Sequence, residues 1–160
     1  VEILESEYPF FEVKDAKIKN LTMKGKYSFQ YDENIEIENS RFDTKDAFWH
    51  SKNMVIRDST IKGEYLAWYS ENLTFINCKI MGTQPFCYCK NLRLENCTME
   101  NCDLAFEKST VFAEVKGKIQ SVKNPLKGKI KADEIGEIIL DETTGGKTEC
   151  QILFNSSKIQ

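Results

Sequence analysis

Asn34, Asn53, Asn72 and Asn91 stand nineteen residues apart, and each precedes an apolar residue: Ile35, Met54, Leu73 and Leu92. A second series, Asn20, Asn39, Asp58, Asn77 and Asn96, keeps the same interval. A fixed short period constrains the fold more than any other feature. A nineteen-residue unit cannot bury a core alone, so each repeat must be one rung stacked on the next. Full rungs start at Ala16, Ile35, Met54, Leu73 and Leu92, a looser one at Val111 and a partial one at Ile130.

Apolar and polar residues alternate with period two inside each rung, which predicts short strands. The first is Ile35-Glu36-Ile37 and its equivalents Met54-Val55-Ile56, Leu73-Thr74-Phe75 and Leu92-Arg93-Leu94. Its outer members should point inward. The Asn or Asp series follows, a residue type that tolerates left-handed turns. The second strand is Ser40-Arg41-Phe42, with Ser59-Thr60-Ile61, Cys78-Lys79-Ile80 and Cys97-Thr98-Met99. A bend is expected at Gly25, Gly63 and Gly82, where Thr44 and Asn101 fill the same place. The third strand carries the aromatics, as in Ala47-Phe48-Trp49-His50-Ser51 and Leu66-Ala67-Trp68-Tyr69-Ser70. Three strands per nineteen residues describe one coil of an all-β, single-stranded parallel β-helix of about seven coils. Helical solenoids have longer repeats and a 3.6-residue period, and the leucine-rich consensus is missing.

Charges check this reading. Equivalent residues of stacked coils sit about 4.8 Å apart, where opposite charges attract. The signs alternate along Glu33, Lys52, Glu71, Lys90, along Lys19, Glu38, Arg57, and along Lys24, Asp43, Lys62. Each pair contributes a few tenths of a kcal/mol and helps to set register.

On the third strand, Trp49, Trp68, Cys87 and Phe106 are expected inward, with Ser51, Ser70 and Cys89 on the same side. Phe29, Phe48, Ala67, Phe86 and Ala105 are then expected outward, beside Tyr31, His50, Tyr69, Tyr88 and Glu107. A register shift of one would expose the tryptophans instead. Either way, one face carries a column of stacked aromatic rings.

A net charge of -3 offers no basic face for nucleic acid or a membrane surface, and no segment is long and apolar enough to span a bilayer. Cys78, Cys87, Cys89, Cys97, Cys102 and Cys150 read as packed thiols, which points to a reducing, cytoplasmic setting rather than a disulfide framework. The chain starts at Val1, and Phe10 already stands nineteen before Phe29, so it reads as the end of a longer protein with an uncapped N-terminal edge. Residues 1–142 are assigned to coils. Residues 143–160 are assigned to a loop around Thr143–Lys147 and a capping strand from Cys150 to Phe154.

The runs KDAFWHSKN, GEYLAWYSENLTFINC, LAFEKST, SVKNPLKGKIKA and IGEIILDE resemble an uncharacterised bacterial family, domain of unknown function 3737, up to about Glu142. That family belongs to the pectin-lyase-like superfamily, so the resemblance implies a right-handed parallel β-helix. Its members extend further at the N-terminus, so this chain is similar to the C-terminal portion. The resemblance brings no catalytic residues.

The chemistry candidates compete with plain structural roles. A polysaccharide lyase or hydrolase needs clustered exposed carboxylates. Here Asp43, Asp46 and Asp103 fall on different rungs and the other acids alternate with lysines. His50, the lone histidine, is a candidate base, but no Ser or Cys nucleophile with an orienting partner can be named. Cys87-x-Cys89 departs from zinc spacing, and Cys78 and Cys97 stack one coil apart, at a distance that permits a disulfide. Asn20, Asn72 and Asn96 open glycosylation-type triplets, yet each already has a place in the repeat. No metal or cofactor is expected.

Two readings result. In the first, a rigid, non-catalytic solenoid meets a partner or another copy of itself through its coil ends or its aromatic face. In the second, Tyr31, His50, Tyr69, Tyr88 and Glu107 bind or process a carbohydrate, whose rings would pack on aromatic faces.

Overall fold

In the computed structural model, which describes residues 1–155, successive turns of chain lie over one another in register. The strands in chain order are β1 (Glu2–Ile3), β2 (Lys14–Lys19), β3 (Thr22–Lys26), β4 (Glu33–Glu38), β5 (Arg41–Lys45), β6 (Lys52–Arg57) and β7 (Thr60–Lys62). They continue with β8 (Glu71–Ile76), β9 (Lys79–Met81), β10 (Leu92–Glu100), β11 (Thr110–Lys123), β12 (Lys127–Ile139) and β13 (Glu149–Leu153). Even-numbered strands up to β8 stack on one face, odd-numbered strands up to β9 on a second, and β10 continues both. Every pairing is parallel, and the result is an all-β parallel solenoid of about eight turns.

Register follows the period. Ile35 lies beside Met54 and Met54 beside Leu73, while Leu92 lies beside Val111. The outer members of the first strand are buried, as Ile35 and Ile37 show, and Glu36 between them faces solvent. Beyond β10 the coils change length. Thr110 pairs with Lys127 and Lys127 with Glu149, the second step lengthened by a short 3-10 turn over Glu142–Thr144. β13 covers part of β12, so the terminal strand expected at Cys150 forms.

The corner between the two strand faces explains the Asn series. Asn20, Asn39, Asp58, Asn77 and Asn96 all have φ between 49 and 56°, the left-handed region that Asn and Asp enter most readily among non-glycine residues. Asn34, Asn53, Asn72 and Asn91 do the same at the start of the first strand. Their amides also bond between coils: Asn39 Nδ2 donates to Asn20 Oδ1 at 2.7 Å and Asn96 to Asn77 at 2.6 Å. Asn72 donates to Asn53 at 3.0 Å and accepts from Asn91 at 2.6 Å. In each case the later coil donates to the earlier one, so a carboxylate can only receive. Asp15 accepts from Asn34 and Asp58 accepts from Asn77.

At the second bend, where other coils carry Thr44 or Asn101, two positions need glycine for a different reason. A Cβ on Gly63 would sit 1.8 Å from the Thr44 carbonyl oxygen, and one on Gly82 would sit 2.1 Å from that of Gly63. The expected charge ladders are in register, with Lys19 beside Glu38 and Lys24 beside Asp43. Ion pairs close for Lys19–Glu38 at 3.7 Å and for Lys14–Glu33 at 3.9 Å, both exposed and therefore weak.

The core is a row of rings along the axis. Phe10, Phe29 and Phe48 stack at 4.9 Å centroid spacing. The next place holds Ala67, which is too small to continue the row. Phe75, from the first face, fills the gap: it meets Phe48 at 6.1 Å and Phe86 at 5.2 Å, edge to face. Phe86 then stacks on Phe106 at 5.8 Å.

Two outcomes test this account. Phe75→Ala empties the place that compensates for Ala67 and should cost about 4 kcal/mol in urea denaturation. Asn72→Ala loses two amide bonds and puts alanine at φ 56°, a cost of about 2 kcal/mol, whereas Asn72→Gly keeps the backbone unstrained and should cost about 1 kcal/mol.

Candidate functional site

The third side of the coil is where exposed aromatics collect, and it is not a strand. From Ser28 to Tyr31 and over the equivalent segments the chain forms successive turns, with every second residue left-handed. Phe48 and His50 have φ of 63° and 57°, and Ala67 and Tyr69 have 63° and 61°. The N–H of Phe48 reaches back to Ser28 O at 2.8 Å, and that of His50 reaches forward to Trp68 O at 3.0 Å. Side chains therefore do not alternate as they would on a strand. Ala47 and Phe48 both point into the core, Trp49 is half-buried and His50 is exposed.

This corrects several expectations. Phe29, Phe48, Ala67, Phe86 and Ala105 are buried, not outward, because consecutive residues share the inner side of this segment. Trp49 and Trp68 are half-buried rather than inward. They stack at 5.3 Å, and their indole N–H groups donate to Tyr65 O and Gln84 O at 2.6 and 2.7 Å. Phe106 belongs to the phenylalanine row, not the tryptophan column, because the coil before it carries one extra residue. The Glu107 carbonyl accepts from Tyr88 N–H, as the Trp68 carbonyl accepts from His50 N–H, so Glu107 follows Cys87 in the tryptophan column. There its carboxylate pairs with Lys123 at 3.4 Å, and Lys108 takes the place after Tyr88.

The rest of the expected exposed column assembles. Tyr31, His50, Tyr69 and Tyr88 lie ring on ring, with spacings of 4.7, 5.1 and 4.9 Å and interplanar angles of 8, 7 and 9°. Tyr31 is 49% exposed and Tyr69 48%. Burial, with the Glu107 carboxylate as a smaller cause, raises the Tyr88 pKa above its ordinary value. Each inner ring has a neighbour on both faces, so the column offers solvent its ring edges and hydroxyls.

Behind the column runs a buried line of small polar groups: Asp32, Ser51, Ser70, Cys89 and Ser109. Ser51 donates to Phe29 O and Ser109 to Phe86 O, while Cys89 Sγ lies 3.0 Å from Ala67 O. These hydroxyls and thiols bond carbonyls of the aromatic segment. Asp32 is the exception, a lone buried acid outside any cluster of exposed carboxylates. Its Oδ1 accepts from Val13 N–H at 2.8 Å, but its buried Oδ2 has no partner. Burial pushes its carboxyl up to about 7. The signal available in sequence was an acid standing in a serine column. Asp46 also has an unpartnered Oδ1.

Elsewhere, a groove of about 630 Å³ follows the glycine bend, floored by Gly25, Gly63 and Gly82 and walled by residues such as Lys24, Lys62, Asp43 and Glu64. The charges there offset one another. Among the described residues no cluster of three or more His, Cys, Asp or Glu could hold a metal ion.

The family model described as "Protein of unknown function (DUF3737)" matches residues 1–153, and the chain belongs to that family. The match runs past the Glu142 limit expected from the quoted runs. No curated protein and no solved structure matches the chain.

Asp32 generates a pH prediction. Its folded-state pKa of about 7 lies above the ordinary 3.8, so the native state holds its proton more tightly than the unfolded chain does. The stability that this group contributes is complete below about pH 4 and declines as the pH rises through about 7. Asp32→Ser, which restores the column's own residue, should raise the melting midpoint, and by more at pH 8 than at pH 5.

Proposed function

We propose that this protein is a non-catalytic interaction module, a rigid solenoid that docks a protein surface, including that of another copy, on its exposed aromatic column. We also propose that the coil is of the right-handed, pectin-lyase-like kind and that the protein is bacterial; the parallel coils support the first. The observation that carries the functional reading is the closed stacking of Tyr31, His50, Tyr69 and Tyr88. Sugars pack against open ring faces. Here those faces are spent on neighbouring rings, and what remains is a straight row of ring edges, hydroxyls and one imidazole. Such a row suits a flat, amphipathic contact rich in tyrosine.

The second reading, carbohydrate binding, keeps one supporting observation: Tyr31 and Tyr69 are exposed, and their hydroxyls could bond a glycan edge-on. Two measurements separate the readings. Light scattering over a concentration series should give a mass above one chain, reduced in Tyr69→Glu. A glycan array should retain nothing that Tyr69→Ala or Tyr88→Ala abolishes. A strictly monomeric protein that holds a glycan through Tyr69 would replace the first reading by the second.

A further inference from the structure

The corner between the two strand faces holds a pair of cysteines to which the interaction reading gives no role. The positions after Asn39, Asp58, Asn77 and Asn96 form a buried column: Ser40, Ser59, Cys78 and Cys97. Its hydroxyls join the coils, since Leu21 N–H donates to Ser40 Oγ at 3.2 Å and Ser40 N–H to Ser59 Oγ at 3.1 Å. In the next two coils thiols replace them. Cys78 Sγ lies 3.4 Å from Ile56 O and Ile76 O, and Cys97 Sγ lies 3.3 Å from Phe75 O.

Main-chain and side-chain bonds hold Cys78 and Cys97 directly over each other. Asn77 N–H donates to Glu95 O at 2.9 Å just before the pair, and Thr98 N–H donates to Cys78 O at 3.0 Å just after it. The Asn96 amide bonds Asn77 at 2.6 Å on the flank. Neighbouring coils are about 4.8 Å apart, inside the Cα range that a disulfide spans. Cys78 also lines a surface depression of about 470 Å³ together with Asn77, Lys79, Asn96 and Lys116, so a water-sized oxidant can approach.

We propose that Cys78 and Cys97 form a reversible redox site that closes to an inter-coil disulfide on exposure to a peroxide. The Cys78 sulfur, which lines the depression, attacks one oxygen of hydrogen peroxide; the O–O bond breaks, the sulfur becomes a sulfenic acid and the other oxygen takes the thiol proton and leaves as water. Cys97, stacked behind it, then attacks the Cys78 sulfur. The S–O bond breaks, the S–S bond forms and a second water departs with the Cys97 proton. Two thiols are oxidised and one peroxide is reduced to two waters.

Each thiol acts on the other: the neighbouring Cys78 side chain lowers the Cys97 pKa while Cys97 raises that of Cys78, so Cys97 is favoured as the thiolate that resolves the sulfenic acid. The other cysteines lack such a partner. Cys89 stacks against Ser70, and burial raises the pKa of Cys87, Cys89 and Cys102. Closing the bond must draw the two Cβ atoms to about 4 Å, slightly under the coil spacing, so the disulfide should be readily reduced.

The experiment is a hydrogen peroxide titration of the folded protein, read by thiol count after denaturation, by peptide mass and by melting. Free thiols should fall from six to four, two per disulfide, with a Cys78–Cys97 cross-linked peptide and a raised melting midpoint that dithiothreitol reverses. Cys78→Ser and Cys97→Ser carry the residue found at Ser40 and Ser59, so both should fold, and neither should lose a thiol pair. Cys89→Ser should behave as the parent does. Sulfinic acid at Cys78 beside a free Cys97, or a cross-link elsewhere, would overturn the assignment.

Discussion

Everything in this molecule depends on coils lying in register, each bonded to the next by parallel main-chain hydrogen bonds. Once that holds, the sequence acts as a grid. From β2 to β9 a residue's neighbours are those nineteen before and nineteen after it, and side chains form columns. Each column then settles on the chemistry that pairs best with itself: amides along Asn72 and Asn91, phenyl rings along Phe29 and Phe48, stacked polar rings along His50 and Tyr69. Like charges gain nothing this way, and in ladders such as Lys14 beside Glu33 and Glu33 beside Lys52 acids and bases alternate instead.

The grid explains what reading the chain could reach. Period, parallel pairing, the inward Ile35 and Ile37 and the corner role of Asn39 were legible because each depends on spacing or on a residue type with a known backbone preference. The third side was not. Phenylalanine, tyrosine and histidine suit strands, and a left-handed conformation costs such residues about 1–2 kcal/mol each. Local preference therefore argued for a strand. What overrides it is collective: the inter-coil bonds of Phe48 and His50 and the ring stacks form only if every coil adopts the same strained turn. A single rung could not show that, and period-two reasoning put Phe29 and Phe48 on the wrong side.

The candidate site was half legible for the same reason. Tyr31, His50, Tyr69 and Tyr88 share a column whatever the local conformation, because nineteen-residue spacing alone places them together. Glu107 failed because one extra residue before Phe106 shifts the count by one and carries Glu107 to the tryptophan side. Asp32 is not legible from sequence because it stands alone and buried, without the cluster of exposed acids that marks a carboxylate site. A lone acid in a line of hydroxyls is informative only when the line is known to be buried.

Columns also show where composition is free to vary. In the line of Ser40, Ser59, Cys78 and Cys97, and in that of Ser51, Ser70, Cys89 and Ser109, hydroxyl and thiol alike bond main-chain carbonyls. Packing and hydrogen bonding tolerate either, and serine makes the stronger bond. Structure alone therefore gives no reason for two cysteines to follow each other in one column. What thiols add over hydroxyls is redox chemistry, and only adjacent coils bring two of them within bonding reach.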